Sequence, residues 1–157
     1  MKLGQNTIDA VRRRVQQDTL GHRGRRGDPM YGVRRVLLRG AERHTLRSYT
    51  RLLAGLAAGD PDGQVSATWI ATQELRHVYG ARDLAQARDR LFTFYTVCAD
   101  ADLPELRRLA RTISVWQDQL LAYFHTGRAS NGPTEAVNLL IKRIKRGFCG
   151  TTILTTV

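Results

Sequence analysis

Cysteine is scarce in this chain: two residues in 157, Cys98 and Cys149, far apart. That spacing offers neither a metal motif nor a disulfide framework, so both read as free thiols of a reducing compartment. Long apolar runs are missing too. None approaches the roughly 18 residues of a membrane span, and the N-terminus has no signal-peptide core. A membrane partner is therefore not expected, and a cytoplasmic location is. Nucleotide-cradling motifs are also lacking: Gly21-x-x-Gly24-x-x-Gly27 has no Lys-Ser/Thr ending. Internal repeats and low-complexity tracts do not occur. Strand signals are few, with only Thr151–Val157 showing β propensity.

Acid is the remaining shortage. Fourteen Asp/Glu face 25 Lys/Arg, a formal charge of +11. The excess is uneven. Residues 1–51 hold thirteen Lys/Arg and four Asp/Glu, residues 52–141 hold eight and ten, and Lys142, Arg143, Lys145 and Arg146 close the count. Basic patches attract polyanions and release their condensed counterions, which makes nucleic acid the first partner to consider. A solvated face on a helical protein is the plain alternative.

What is present is helical periodicity, and the fold expected is mainly α. Ile8, Val11 and Val15 mark a first amphipathic helix that stops in the loop Thr19–Gly27, where glycines discourage regular structure. Asp28 and Pro29 predict a cap and first turn for a second helix over about 29–39, ended by Gly40. Thr45 caps a third helix with Leu46, Tyr49, Leu52, Leu53 and Leu56 on one side. After the turn 60–63, a fourth begins near Ser66 and carries Trp69, Ile70, Leu75 and Val78. A fifth spans about 81–99 with Leu84, Leu91, Phe94, Tyr95 and Cys98. Pro104 opens a sixth, with Leu106, Leu109, Ala110, Ile113, Trp116, Leu120 and Tyr123 directed inward. Both tryptophans have apolar neighbours at helical spacing and are expected in the core.

The segment 126–146 carries the densest chemistry. A polar loop leads to Pro133 at a first helical position, with Asn131 or Gly132 as cap. Val137, Leu140, Ile141 and Ile144 form an apolar stripe; Glu135, Asn138, Lys142 and Arg146 fall on the opposite side. An acid able to hold a metal thus shares a face with cations able to hold phosphate. Spacing alone equally allows Glu135 to complement the positive helix start.

Ser130-Asn131-Gly132-x-x-Glu135-x-x-Asn138-x-x-Ile141-Lys142-x-Ile144-Lys145-Arg146 resembles the end of the catalytic domain in DDE transposases of bacterial insertion sequences, most closely the ISL-three type. The stretch from Asp9 to Pro29 resembles the same family just after its second catalytic aspartate. The resemblance implies an RNase H-like core with a helical insertion before the last acid. It implies DNA strand cleavage and transfer with Mg²⁺ or Mn²⁺ held by two Asp and one Glu, of which Glu135 matches the last. It further implies that residues 1–44 are a basic helical segment, 45–125 the insertion domain and 126–147 the final loop and helix. Residues 148–157 depart from the family pattern as a divergent tail.

The two catalytic aspartates, the zinc-binding and helix-turn-helix region and most of the sheet have no counterpart here. The expectation is a C-terminal fragment with an incomplete RNase H-like domain that binds DNA without transferring strands. Metal would be held by the intact parent and not tightly by this chain. The rival expectations are an interaction fragment that docks with full-length transposase or with itself, and a gene remnant. Expected DNA contacts are Arg12, Arg13, Arg14, Arg23, Arg25 and Arg26 at the front, and Lys142, Lys145 and Arg146 at the back. Asn131 and Asn138 are expected to shape the edge of the site around Glu135, with capping and solvent exposure as their alternatives. Asp9, Asp18 and Asp28 belong to no recognisable ligand cluster.

Overall fold

The computed structural model describes residues 2–125, and there the chain is all helical, with no strand among the described residues. Seven α-helices follow one another: α1 Lys2–Leu20, α2 Arg34–Leu37, α3 Leu46–Gly59, α4 Gln64–Tyr79, α5 Leu84–Asp100, α6 Pro104–Val115 and α7 Gln117–His125. A single 3-10 turn, Ala41–Arg43, lies between α2 and α3. The terminal loop, helix and tail predicted over 126–157 lie outside the described residues.

α4 is the axis of the molecule, because it is the helix shared by two apolar clusters. Its first turn contributes Val65 to a cluster built from Ile8, Val11 and Val15 of α1, Met30, Val33, Val36 and Leu37, and Leu52 and Leu56 of α3. Its later turns contribute Ala71, Leu75 and Val78 to a second cluster with Leu91, Phe94 and Cys98 of α5 and Leu106, Leu109 and Ile113 of α6. A third, small cluster joins Ala81 and Ala87 to Leu121 of α7. α1 lies across α4 and α6, and it approaches α4 closely: a Cβ on Gly4 would fall 2.8 Å from the Thr72 side chain. The buried hydroxyls of Thr68 and Thr72 donate to Gln64 O and Thr68 O on their own helix, so this seam leaves no hydroxyl unpaired.

Caps fix the helix starts. Thr45 accepts from Ser48 N at α3, as its sequence predicts. α4 begins at Gln64 rather than Ser66, and its cap comes from further back. The buried Asp60 carboxylate accepts from Val65 N (3.0 Å), Ser66 N (2.8 Å) and Ser66 Oγ (2.8 Å). α5 starts three residues later than expected, where Asp83 accepts from Gln86 N and Gln86 accepts from Arg82 N in a reciprocal capping box.

Three expectations are corrected. The second helix is not a run over 29–39 but only Arg34–Leu37, because Asp28 does not cap it. Its carboxylate turns back to accept from Arg25 N, and residues 28–33 form turns that send Met30 and Val33 into the core. The sixth helix is two: it breaks at Trp116, whose N–H is shared between Thr112 O and Ile113 O. The break turns Trp116 outward to 60% exposure, while α7 still packs on α5; Tyr95 Oη donates to Gln117 across that junction. On α3 and α4 the predicted apolar faces are too wide. Leu52 and Leu56 are buried, but Leu46 (84% exposed), Tyr49, Leu53 and Ile70 are left in solvent, because α3 packs by one flank on the 29–37 segment. Trp69 does pack against the first cluster.

Candidate nucleic-acid interface

The arginines of α1 sit one per 100° of helix, and this decides their fates. Arg12 shares the inner side with Val11 and Val15 and is only 5% exposed. A buried guanidinium requires an acceptor, and Asp9, one turn earlier, supplies it at 2.8 Å, with Gln16 Oε1 on the other side. Asp9 also receives Arg13 (2.9 Å) and Arg34 (3.1 Å). Burial would raise the Asp9 carboxyl, but hydrogen bonds from Arg12 and then Arg34 outweigh it and hold it below its ordinary value. Arg14 leaves α1 for α6. It grips Glu105 with two nitrogens (2.7 and 3.2 Å) and donates to Gln64 Oε1 at 2.8 Å, tying α1 to α4 and α6 at once. The hydrogen bond from Arg14 pulls Glu105 below its usual range, against a smaller effect of burial. Arg13 keeps an exposed side chain despite its contact with Asp9.

The loop after α1 stays open because Gly21, Gly24 and Gly27 all adopt positive φ (71°, 104° and 105°). Gly24 also lies over the Arg12–Gln16 pair, with room for no side chain: a Cβ would fall 3.0 Å from Gln16 Oε1. Arg23, Arg25 and Arg26 alternate with these glycines and are exposed. Arg23 joins Arg13, Arg14, Gln17 and Asp18 around an open depression of about 390 Å³. The structure therefore brings Arg13 and Arg23 to one surface, with Arg25 and Arg26 on the same loop. Arg12 and Arg14 are held by acids within the fold.

Sequence reasoning missed a second set of cations. Arg35, Arg39, Arg43, Arg47 and Arg51 are all exposed. Their signal was legible: a four-residue interval, in a stretch from 29 to 59 that holds six arginines and a single acid, Glu42.

Asn131, Glu135, Asn138, Lys142, Lys145 and Arg146 lie outside the described residues. Among those described, no three His, Cys, Asp or Glu side chains gather as a metal site. The acids near the basic surface are each occupied: Asp9 by three arginines, Asp18 by Arg14 at 3.8 Å, and Asp28 by the Arg25 N–H. A divalent ion at any of them would meet positive charge first, so the described residues do not fit one. No described helix is long and apolar enough to cross a membrane. The buried Cys98 thiol, pushed by burial up to about 12, is not a nucleophile at neutral pH.

Neither a curated protein nor a solved structure matches the chain. A family model described as transposase, of the ISL-three DDE type, matches residues 1–152. That match spans nearly the whole sequence and agrees with the residues that carried the resemblance, so the chain belongs to the ISL-three family of DDE transposases.

Proposed function

We propose that this chain is a DNA-gripping part of a transposase, contacting phosphates through Arg13, Arg23, Arg25 and Arg26 and through Lys142, Lys145 and Arg146. Its family works in DNA transposition and uses divalent metal. The observation that carries the finer reading is the glycine-opened loop 21–27, which holds three exposed arginines beside Arg13. Arginine forks match phosphate oxygens, and positive-φ glycines let the backbone approach a strand closely. Glu135 is proposed as one metal ligand of the family's acidic set, with Asn131 and Asn138 beside it. Residues 45–125 are proposed as the helical insertion of the family's RNase H-like domain. DNA binding without strand transfer, in the cytoplasm, follows from that reading.

Fluorescence anisotropy with a 30-bp duplex tests the binding. The seven proposed phosphate contacts predict affinity falling several thousand-fold, on the order of 10³ to 10⁴, between about 50 and about 200 mM salt. Replacing Arg23, Arg25 and Arg26 with Gln should flatten the slope by about three units of log affinity per log salt. A wild-type chain that shows no salt-dependent binding would sink the reading. Nicking of plasmid DNA with Mn²⁺, abolished by Glu135→Ala, would overturn the absence of strand chemistry.

A second reading, docking onto intact transposase or self-association, is favoured by one feature. Val115 and Trp116 stand exposed together at the α6–α7 break. Tryptophan side chains often anchor interfaces. Loss of co-purification with the full-length protein in Trp116→Ser would support it.

A further inference from the structure

Arg34 is the one arginine of the 29–59 stretch that is drawn into the fold, by Asp9. Arg43 lies 3.7 Å from Glu42 with both side chains exposed, a weak pairing in water. Arg35, Arg39, Arg47 and Arg51 form no ion pair with the described residues. Their interval of four is not a single helix face, because it runs through α2, a turn, the 3-10 turn and α3.

Packing gathers them. A Cβ on Gly55 would fall 2.7 Å from Val33, and one on Gly59 2.8 Å from Met30, so residues 30–33 lie along the C-terminal half of α3. The chain must then return to Leu46, the start of that same helix. Residues 33–45 make that return, with Val36 and Leu37 turned inward to the cluster that holds Leu52 and with Leu38 O, Arg39 O and Ala41 N bonded to Gln5 of α1 and Gln73 and Arg76 of α4. From Gly55 back to Leu46 is about 14 Å of helix. Arg51 and Arg47 lie one and two turns before Gly55, turned from it by about 40° and about 80°, and both are exposed beside the flank that Val33 touches. Arg35 and Arg39 occupy one arm of this hairpin, Arg43 its bend, and Arg47 and Arg51 the other arm.

We infer that this arginine hairpin is a binding site for the phosphate backbone of duplex DNA, distinct from the loop 21–27. The inference rests on the DNA reading above and adds a second surface to it. Five guanidinium groups along about 14 Å of helix, with one acid among them, repel one another in the free protein. Duplex DNA presents about eight phosphates over that length, enough to engage every arginine. The apolar side of the hairpin is already buried, so the arginines are positioned by the core and need little ordering on contact. A peptide carrying carboxylates has no comparable density of charge.

The test compares full-length variants by anisotropy with a 20-bp duplex across a salt series. Arg35→Gln, Arg39→Gln, Arg47→Gln and Arg51→Gln together should reduce the salt slope by about 3.6 units. Helical circular dichroism should be unchanged, since these side chains are exposed. Arg39→Gln or Arg47→Gln alone should each remove about one unit, which guards against a misfolded quadruple variant. Arg88→Gln with Arg90→Gln on α5 serves as a charge control and should leave the slope unaltered.

A wild-type chain that fails to bind sinks both readings. Binding that survives the hairpin changes but is lost with Arg23, Arg25 and Arg26 sinks only the hairpin. A control slope that falls as far as the hairpin's shows diffuse charge and also overturns it. So does competition by polyglutamate of equal charge that is as effective as competition by the duplex.

Discussion

Arg12 and Arg47 carry the same guanidinium on two helices of one chain, and the fold treats them in opposite ways. On α1, three consecutive arginines meet Asp9 or Glu105, and one of them is nearly lost from solvent. On the hairpin, arginines spaced by four meet almost no acid and stand in water. The difference is not residue type, since both stretches offer the same guanidinium. It lies in the acids within reach: Asp9 on α1 itself for Arg12 and Arg13, and Glu105 of α6 for Arg14. α1 packs into a three-way junction where α6 supplies Glu105 and α4 supplies Gln64, whereas Arg47 and Arg51 of α3 meet no acid among the described residues. Cationic side chains inside the fold stabilise it; those left outside are available to a partner.

That contrast can be broken most forcefully at Arg12. Arg12→Ala strands Gln16 and removes the nearest partner of Asp9, and should cost about 3 kcal/mol in urea unfolding. A loss below about 1 kcal/mol would mean that Arg12 is not an internal residue in energetic terms. Next is Asp60, which caps α4 at the border between the hairpin and the helical core. Asp60→Ala should lower stability by about 2 kcal/mol, through three hydrogen bonds to a charged acceptor.

Glu105→Gln loosens the clamp of α1 on α6 and should cost about 1 kcal/mol, discounted because Arg14 is a third exposed. The same clamp predicts a pH dependence. Asp9 and Glu105 are held below their ordinary values, so their contribution is complete above the unfolded-state values and fades as pH falls through the folded ones. Stability should therefore decline below about pH 4.5, the ordinary Glu value, and Glu105→Gln should blunt that decline. The hairpin has no such acids apart from Glu42, so its four-arginine variant should keep the full acid sensitivity. Smallest of all, Arg47→Ala should change stability by less than about 0.5 kcal/mol while weakening DNA binding. Melting temperatures and anisotropy on the same two proteins, Arg12→Ala and Arg47→Ala, would place the comparison on one page.

Much of the helical layout was legible in advance. Ile8, Val11 and Val15 report their burial by spacing, and so do Leu106, Leu109 and Ile113, because a helix repeats every 3.6 residues whatever surrounds it. Thr45 could be read as a cap for the same local reason. Errors fell where a distant residue outcompeted a local signal. Asp28 and Pro29 look like a helix start, yet Met30 and Val33 are drawn against Gly55 and Gly59, which lie about 25 residues away. Trp116 continues the apolar stripe of α6, but packing of α7 on α5 needs a break there. Within the interface, the sequence located the basic end of the chain but not which arginines in it are free.

Periodicity, capping residues and the scarcity of acid before Asp60 determined by themselves that this is a helical, strongly cationic chain. Those properties are local or additive, and no neighbour can cancel them. Which cations remain accessible was decided only when the helices packed. The reason is electrostatic: a guanidinium's availability depends on the carboxylates packed within about 3 Å of it, and some of these, Glu105 for Arg14 and Asp9 for Arg34, are remote in the chain.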